Sequence, residues 1–164
     1  MVKPIERDFP PQFQVTETAS HGEEKMGLVY ADIELISGDD LVMYRRGHIN
    51  KNEVRRMTVS ALVDSGALTL AINEEIKAQL GLQQIDMRTA QLADGRLVQL
   101  EVVANVEVRF ANRRSNVDAL VLPGDAGPLL GAIPMEDMDV LVDPLRRQLI
   151  VNPEHPDMAQ VFLK

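Results

Sequence analysis

The chain contains no cysteine, so disulfides, thiolate catalysis and cysteine-ligated zinc are excluded. Tryptophan is also absent and aromatic residues make up only 4%, which leaves Val, Leu, Ile and Met to build the core. No apolar run approaches the ~18 residues of a membrane-spanning helix. Residues 1–15 carry Pro4, Pro10, Pro11 and several charges where a secretory signal has an apolar stretch, so a soluble cytoplasmic protein is expected, with no membrane partner. The three histidines, His21, His48 and His155, lie in separate polar stretches, and no His-x-x-x-His spacing occurs. No metal site is therefore expected. Basic residues are outnumbered by acidic ones, 17 to 25, and the net charge is −8. Such a surface repels phosphate backbones, which argues against nucleic acid as a partner. The pairs Arg45-Arg46, Arg55-Arg56, Arg113-Arg114 and Arg146-Arg147 are scattered and read as solvated faces.

What is present fits one small domain. Its 164 residues are 45% hydrophobic and 26% charged, ordinary values for a globular chain. Residues 1–25 read as a flexible arm, 26–152 as the domain and 153–164 as a C-terminal extension. Val29, Ala31, Ile33 and Leu35 alternate with polar residues, the period of a half-buried strand. Residues 37–40 read as a turn, 41–44 as a short strand, and 54–63 as a longer strand running apolar into Asp64. Asn73 is placed to cap a short helix, with Glu74 and Glu75 in its first turn and Gly81 as its stop. Residues 87–92 and 97–110 read as strands joined by a hairpin turn at Ala93, Asp94, Gly95 and Arg96. In the longer of the two, Val98, Leu100, Val102, Ala104, Val106, Val108 and Phe110 share one face if the alternation is unbroken. Further strands follow at 117–122, 140–142 and 148–151, with a second short helix at 134–138. Many short strands with two short helices make a mainly β architecture, closed as a sandwich or barrel.

The segment Leu62-Val63-Asp64-Ser65-Gly66-Ala67 carries the clearest chemistry. A carboxylate directly after an apolar strand end is costly to bury unless it is hydrogen-bonded or shares a proton. Ser65 offers a hydroxyl, Gly66 permits close backbone approach, and Ala67 is small. Taken alone, Asp-Ser-Gly is also the composition of an ordinary strand-end turn. A second element, Leu129-Leu130-Gly131, stands just before the second helix.

The first segment resembles the catalytic signature of retropepsin-like aspartic proteases. Val121-Leu122-Pro123-Gly124 followed by Leu129, Leu130 and Gly131 resembles that family's second signature, and the Asp94-Gly95 hairpin falls where the family has its flap. The resemblance covers roughly residues 27–152. It implies a small closed, barrel-like β domain that works as a homodimer on a peptide or protein substrate without a cofactor. It also implies that Asp64 is the catalytic carboxylate, within an active-site loop of Ser65, Gly66 and Ala67. Gly131 would lie beside that loop, where a Cβ would clash. The chain holds one Asp-Ser/Thr-Gly triplet, so the second carboxylate would come from a second subunit. Two positions depart from the family pattern: Leu68 stands where an acidic residue is common, and Ala132 where an Arg is common. Three readings stay open: an aspartic endopeptidase, a catalytically silent dimerisation or peptide-binding module of the same fold, and an unrelated small β-barrel.

Overall fold

A computed structural model describes residues 27–163, so the expected arm at 1–25 lies outside the described residues. The elements are β1 (Tyr30–Ser37), α1 (Gly38–Arg45), β2 (Arg56–Val63), β3 (Leu70–Ile72), α2 (Glu74–Leu80), β4 (Gln84–Gln91), β5 (Leu97–Phe110), β6 (Arg113–Val121), β7 (Leu129–Leu130), α3 (Ala132–Met138), β8 (Val140–Asp143) and β9 (Gln148–Val151). Seven strands form one sheet in the order β1-β2-β7-β3-β6-β5-β4. An additional β1–β5 pairing bends the sheet back on itself, leaving β4 as an outward extension; β8 and β9 form a separate hairpin. The fold is mainly β. Its main core is aliphatic, with Ile33, Leu35, Leu70, Ile72, Leu80, Val106 and Leu130 buried beside Met138.

Local signals account for several elements. Asn73 Oδ1 accepts from Ile76 N at 2.9 Å, and Gly81 takes the left-handed conformation (φ 64°) that ends α2. Ile76 and Leu80, four residues apart, share the buried face. In β1, Ala31, Ile33 and Leu35 point inward as the alternation predicts.

Three expectations fail. The turn at 37–40 and strand at 41–44 are instead a third helix, α1. Ser37 Oγ accepts from Asp40 N at 3.2 Å as its N-cap, and Asp39 and Asp40 occupy the first turn. Asp40 also takes Arg55 as a fork, Nε at 2.8 Å and Nη2 at 2.9 Å, which holds its carboxyl below the usual carboxylate range. The single apolar face of β5 is broken by a bulge: Val103 pairs with Ala119, but Val106 pairs with Val117, so β5 carries one extra residue. Val98 and Leu100 therefore pack with a second cluster, whereas Val103, Val106 and Val108 enter the main core. Asn105 holds the bulge at φ 67°, its N–H bonded to Asp118 Oδ1 and its side chain to Asp39 Oδ1. The third correction is Arg113, which is buried at 3% exposure rather than solvated.

Residues beyond β9 fold back onto Asp139, the left-handed residue (φ 55°) that closes α3. Its carboxylate accepts from Asn152 Nδ2 (3.0 Å) and Gln160 N (3.0 Å) and pairs with His155 Nδ1 (2.6 Å), while its carbonyl accepts from Asn152 N (3.1 Å). Asn112 Nδ2 donates to Pro156 O at 2.9 Å, and Arg113 Nη2 donates to His155 O. Asp139 is lowered to about 2, first by Asn152 and then by the Gln160 amide. A folded-state pKa below the unfolded value of about 3.9 means stabilisation that is complete at neutral pH and fades as pH falls toward 2. Asp139→Asn will therefore melt at a lower temperature than the parent at neutral pH, and the gap will narrow on acidification. Thermal melts followed by circular dichroism across that range check it; a gap independent of pH would show that the charge does not matter.

Candidate active site

Asp64 leaves the sheet at the end of β2, where the chain meets a parallel neighbour. Leu62 and Val63 pair with Leu129 and Leu130 of β7, and β7 pairs on its other side with β3 at Ala71. Leu62 N donates to Pro128 O (3.0 Å) and Asp64 N to Leu130 O (2.9 Å). The two residues of β7 face opposite ways: Leu130 joins the main core and Leu129 the second cluster. The strand end bearing Asp64 is thus held from both faces.

The loop then turns tightly. Gly66 N donates to Asp64 Oδ1 at 2.9 Å, and Ala67 N donates to Asp64 O at 3.0 Å. This is the Asx-type closure that Asp-Ser-Gly favours. It orients one carboxylate oxygen into the loop while the side chain stays half-buried. Ser65 and Gly66 are exposed. The far end of the loop is sewn to the start of α3, with Ala132 N donating to Ala67 O (2.8 Å) and Ile133 N to Leu68 O (2.9 Å). Gly131 makes that approach possible. A Cβ there would stand 2.3 Å from Thr69 O and 2.6 Å from Ala67 O.

The structure brings together the segments around Asp64 and Gly131, which the family resemblance had set side by side. The hairpin also turns as expected: Gly95 N donates to Leu92 O (2.9 Å), Gly95 has φ 89°, and Asp94 accepts from Arg96 N and Nε. Ala93, Asp94, Gly95 and Arg96 are exposed at its tip. Its stem meets the loop from the other side, for Ala90 and Val98 pack on the same small cluster as Leu62, Ala67 and Leu129. Asp64 accepts no hydrogen bond from a side chain among the described residues, and no group of three potential metal ligands occurs among them. Sequence reasoning missed the backbone ties from Ala67 and Leu68 to Ala132 and Ile133. No local signal carries such a pairing between distant segments.

A family model described as aspartyl protease matches residues 47–142, which span Asp64, the hairpin and Gly131. The chain belongs to the aspartyl protease family. Among solved structures, it is similar to the retroviral protease-like domain of Ddi1 from Leishmania major, at 18% identity and TM-score 0.47, over 77% of this chain and 89% of that one. It is also similar to a retropepsin-like aspartic protease from Rickettsia conorii, at 19% identity and TM-score 0.44, over 76% of this chain and 80% of that one. No curated protein matches the sequence. Among the described residues, no helix is long and apolar enough to cross a membrane.

Proposed function

We propose that this chain is a homodimeric aspartic endopeptidase in which Asp64 of each subunit supplies half of the catalytic pair. The observation that carries the reading is the Asp64 loop itself: a half-buried carboxylate on a strand end braced by β7, closed by Gly66 and Ala67, and abutted by Gly131. The chain has one Asp-Ser-Gly triplet, so the second carboxylate comes from a second copy across a two-fold axis. Two carboxylates that close repel when both are ionised, so they hold one proton between them and titrate as a unit. The ionised partner takes a proton from bound water as it attacks the scissile carbonyl, and the protonated partner donates to the carbonyl oxygen. Ser65 and Gly66, exposed beside Asp64, are free to meet the partner subunit or the substrate backbone. The hairpin tip at Ala93, Asp94, Gly95 and Arg96 closes over the bound peptide and excludes water.

Dimer dependence is the direct test. Peptide hydrolysis by the full chain is to be followed over a range of protein concentrations, with sedimentation run on the same samples. Activity will rise with the dimer fraction, steeper than first order in protein at high dilution. Constant specific activity in samples that sediment wholly as monomer excludes the shared site. A second reading, a catalytically silent dimerisation or peptide-binding module, is favoured by Leu68 and Ala132 at positions where relatives commonly carry charge. Hydrolysis blocked by a statine-type inhibitor would eliminate it.

A further inference from the structure

Two polar side chains on the inner face of β6 lack the partners that buried groups require. Arg113 and Ser115 are 3% and 2% exposed, and they share a strand face with Val117, Ala119 and Val121 of the main core. Arg113 Nη2 donates to His155 O. Arg113 Nε, Arg113 Nη1 and Ser115 Oγ are buried with no hydrogen-bond partner, and no other side-chain atom among the described residues is in that state. Native proteins rarely leave such groups unmatched, and a water or an ion is the usual explanation. The cross-strand neighbours offer nothing, since Arg113 pairs with Phe110 and Ser115 with Val108. Carboxylates of the adjoining segments are engaged elsewhere or face solvent. Glu107 accepts from Arg109 Nε (2.7 Å) and Arg114 Nη2 (2.9 Å), and Asp139 gives its oxygens to Asn152, His155 and Gln160. Glu154 and Asp157 are exposed.

We propose that Arg113 and Ser115 hold a small monovalent anion, a halide such as chloride, and that this ion fastens the C-terminal segment to the domain. Neither residue belongs to the Asp64 loop, the hairpin or α3, so the site is separate from the proposed catalysis. Charge selects the class of ligand. A guanidinium does not shed its proton, so burial leaves a full positive charge in aliphatic surroundings, which is strongly unfavourable when unpaired. A water molecule would satisfy the donors and leave the charge; one anion does both. The valence follows in the same way. One uncompensated cation balances one negative charge, and the site offers three donor atoms. A phosphate or sulfate would bring more charge and more oxygens than those donors match. Reach is sufficient, because positions two apart on a strand lie about 7 Å apart, within the span of an arginine side chain. The consequence for the C-terminal segment comes from the one bond Arg113 does make. Its guanidinium holds His155 O, next to the tie from Asn112 Nδ2 to Pro156 O and between the two ties that Asn152 and Gln160 make to Asp139. An ion that fixes the guanidinium fixes that bond, so ion binding and docking of residues 152–160 reinforce each other.

The experiment uses the full chain, with chloride as the probe and the bulky anion gluconate keeping ionic strength constant. Chloride at about ten times its dissociation constant will raise the melting temperature by about 5 °C, and the rise will saturate. Hydrogen exchange at the amides of His155 and Gln160 will slow over the same range. Arg113→Met keeps the stem and removes the charge, and it will melt at the same temperature in both anions. Ser115→Ala will need several-fold more chloride for the same rise. Crystals grown in bromide will show an anomalous peak within hydrogen-bond reach of the Arg113 guanidinium and Ser115 Oγ. Equal melting temperatures of the parent in chloride and gluconate, an equal chloride rise in the parent and Arg113→Met, or a water without anomalous signal at that position overturns the site. Should Arg113→Met fail to fold, the parent's saturation curve, Ser115→Ala and the bromide map decide. None of these measurements uses peptide hydrolysis, so the outcome is independent of the protease reading.

Discussion

Asp64→Asn will abolish peptide hydrolysis, lowering the rate by about three orders of magnitude or more, while the fold and the dimer persist. The substitution keeps shape and removes only the ionisable group. Asn Oδ1 can still accept from Gly66 N, the one hydrogen bond that Asp64 Oδ1 makes among the described residues. The backbone bonds from Asp64 N to Leu130 O and from Ala67 N to Asp64 O are untouched. Stability will therefore change little. Chemistry will change greatly, because an amide neither takes a proton from water nor gives one to the scissile carbonyl. Mixing parent and variant subunits sharpens the result: if one site draws on both chains, the mixed dimer is as inactive as the pure variant. Initial rates, thermal melts and sedimentation on one set of samples check all three statements. A variant that retains rates within tenfold of the parent would remove Asp64 from the mechanism.

The second large effect is structural. Gly131→Ala will destabilise the protein by about 3 kcal/mol, roughly a 10 °C drop in melting temperature, and will impair catalysis beyond what the stability loss explains. The backbone of Gly131 is extended (φ −96°, ψ −170°), so alanine adopts it without torsional cost. The penalty is contact alone. The new Cβ would meet Thr69 O at 2.3 Å, Ala67 O at 2.6 Å and Thr69 N at 2.7 Å, and all three are backbone atoms that no rotamer change can move aside. Relief requires separating α3 from the Asp64 loop, which breaks the bonds from Ala132 N and Ile133 N. Gly127→Ala is the control: an added Cβ there meets nothing within 4 Å, and the change should stay within about 0.5 kcal/mol. Equal effects at the two glycines would show that the close approach at Gly131 is not what matters.

How much was legible in the chain depends on the range of the interactions involved. Helix α2 was readable because its determinants, the Asn73 cap and the Gly81 stop, lie within its own nine residues. The hairpin at Asp94-Gly95 was readable for the same reason, since a two-residue signal sets its turn. Asp64-Ser65-Gly66-Ala67 marked the candidate site through its resemblance to a family signature, and its turn was readable because it closes locally, with Gly66 N on Asp64 Oδ1 and Ala67 N on Asp64 O. Helix α1 was hidden. Its residues 41–44, Leu-Val-Met-Tyr, look like a strand, and only Leu41 among them is buried, so no helical stripe announces it. Its Ser37 cap was read as part of a turn, and the Asp40–Arg55 fork that ties it down joins residues distant in sequence.

The bulge in β5 was likewise beyond local reading. Asn105 at positive φ is held by Asp39 and Asp118 from two other segments, and Gly38 allows it, since a Cβ there would meet Asn105 Oδ1 at 2.1 Å. One inserted residue then sends Val98 and Leu100 to a different cluster from Val106 and Val108. Composition and short motifs, acting over a few residues through caps, turns and alternation, were enough to point to an aliphatic β domain and to single out the Asp64 loop. How those segments are joined was decided by the folded chain: the pairing of Val63 with Leu130, the bonds from Ala132 N and Ile133 N to the end of the Asp64 loop, the packing of the hairpin stem on Leu62 and Ala67. Those contacts join residues far apart in sequence through backbone groups and packed shape, so no local pattern of a few residues marks which partners they choose.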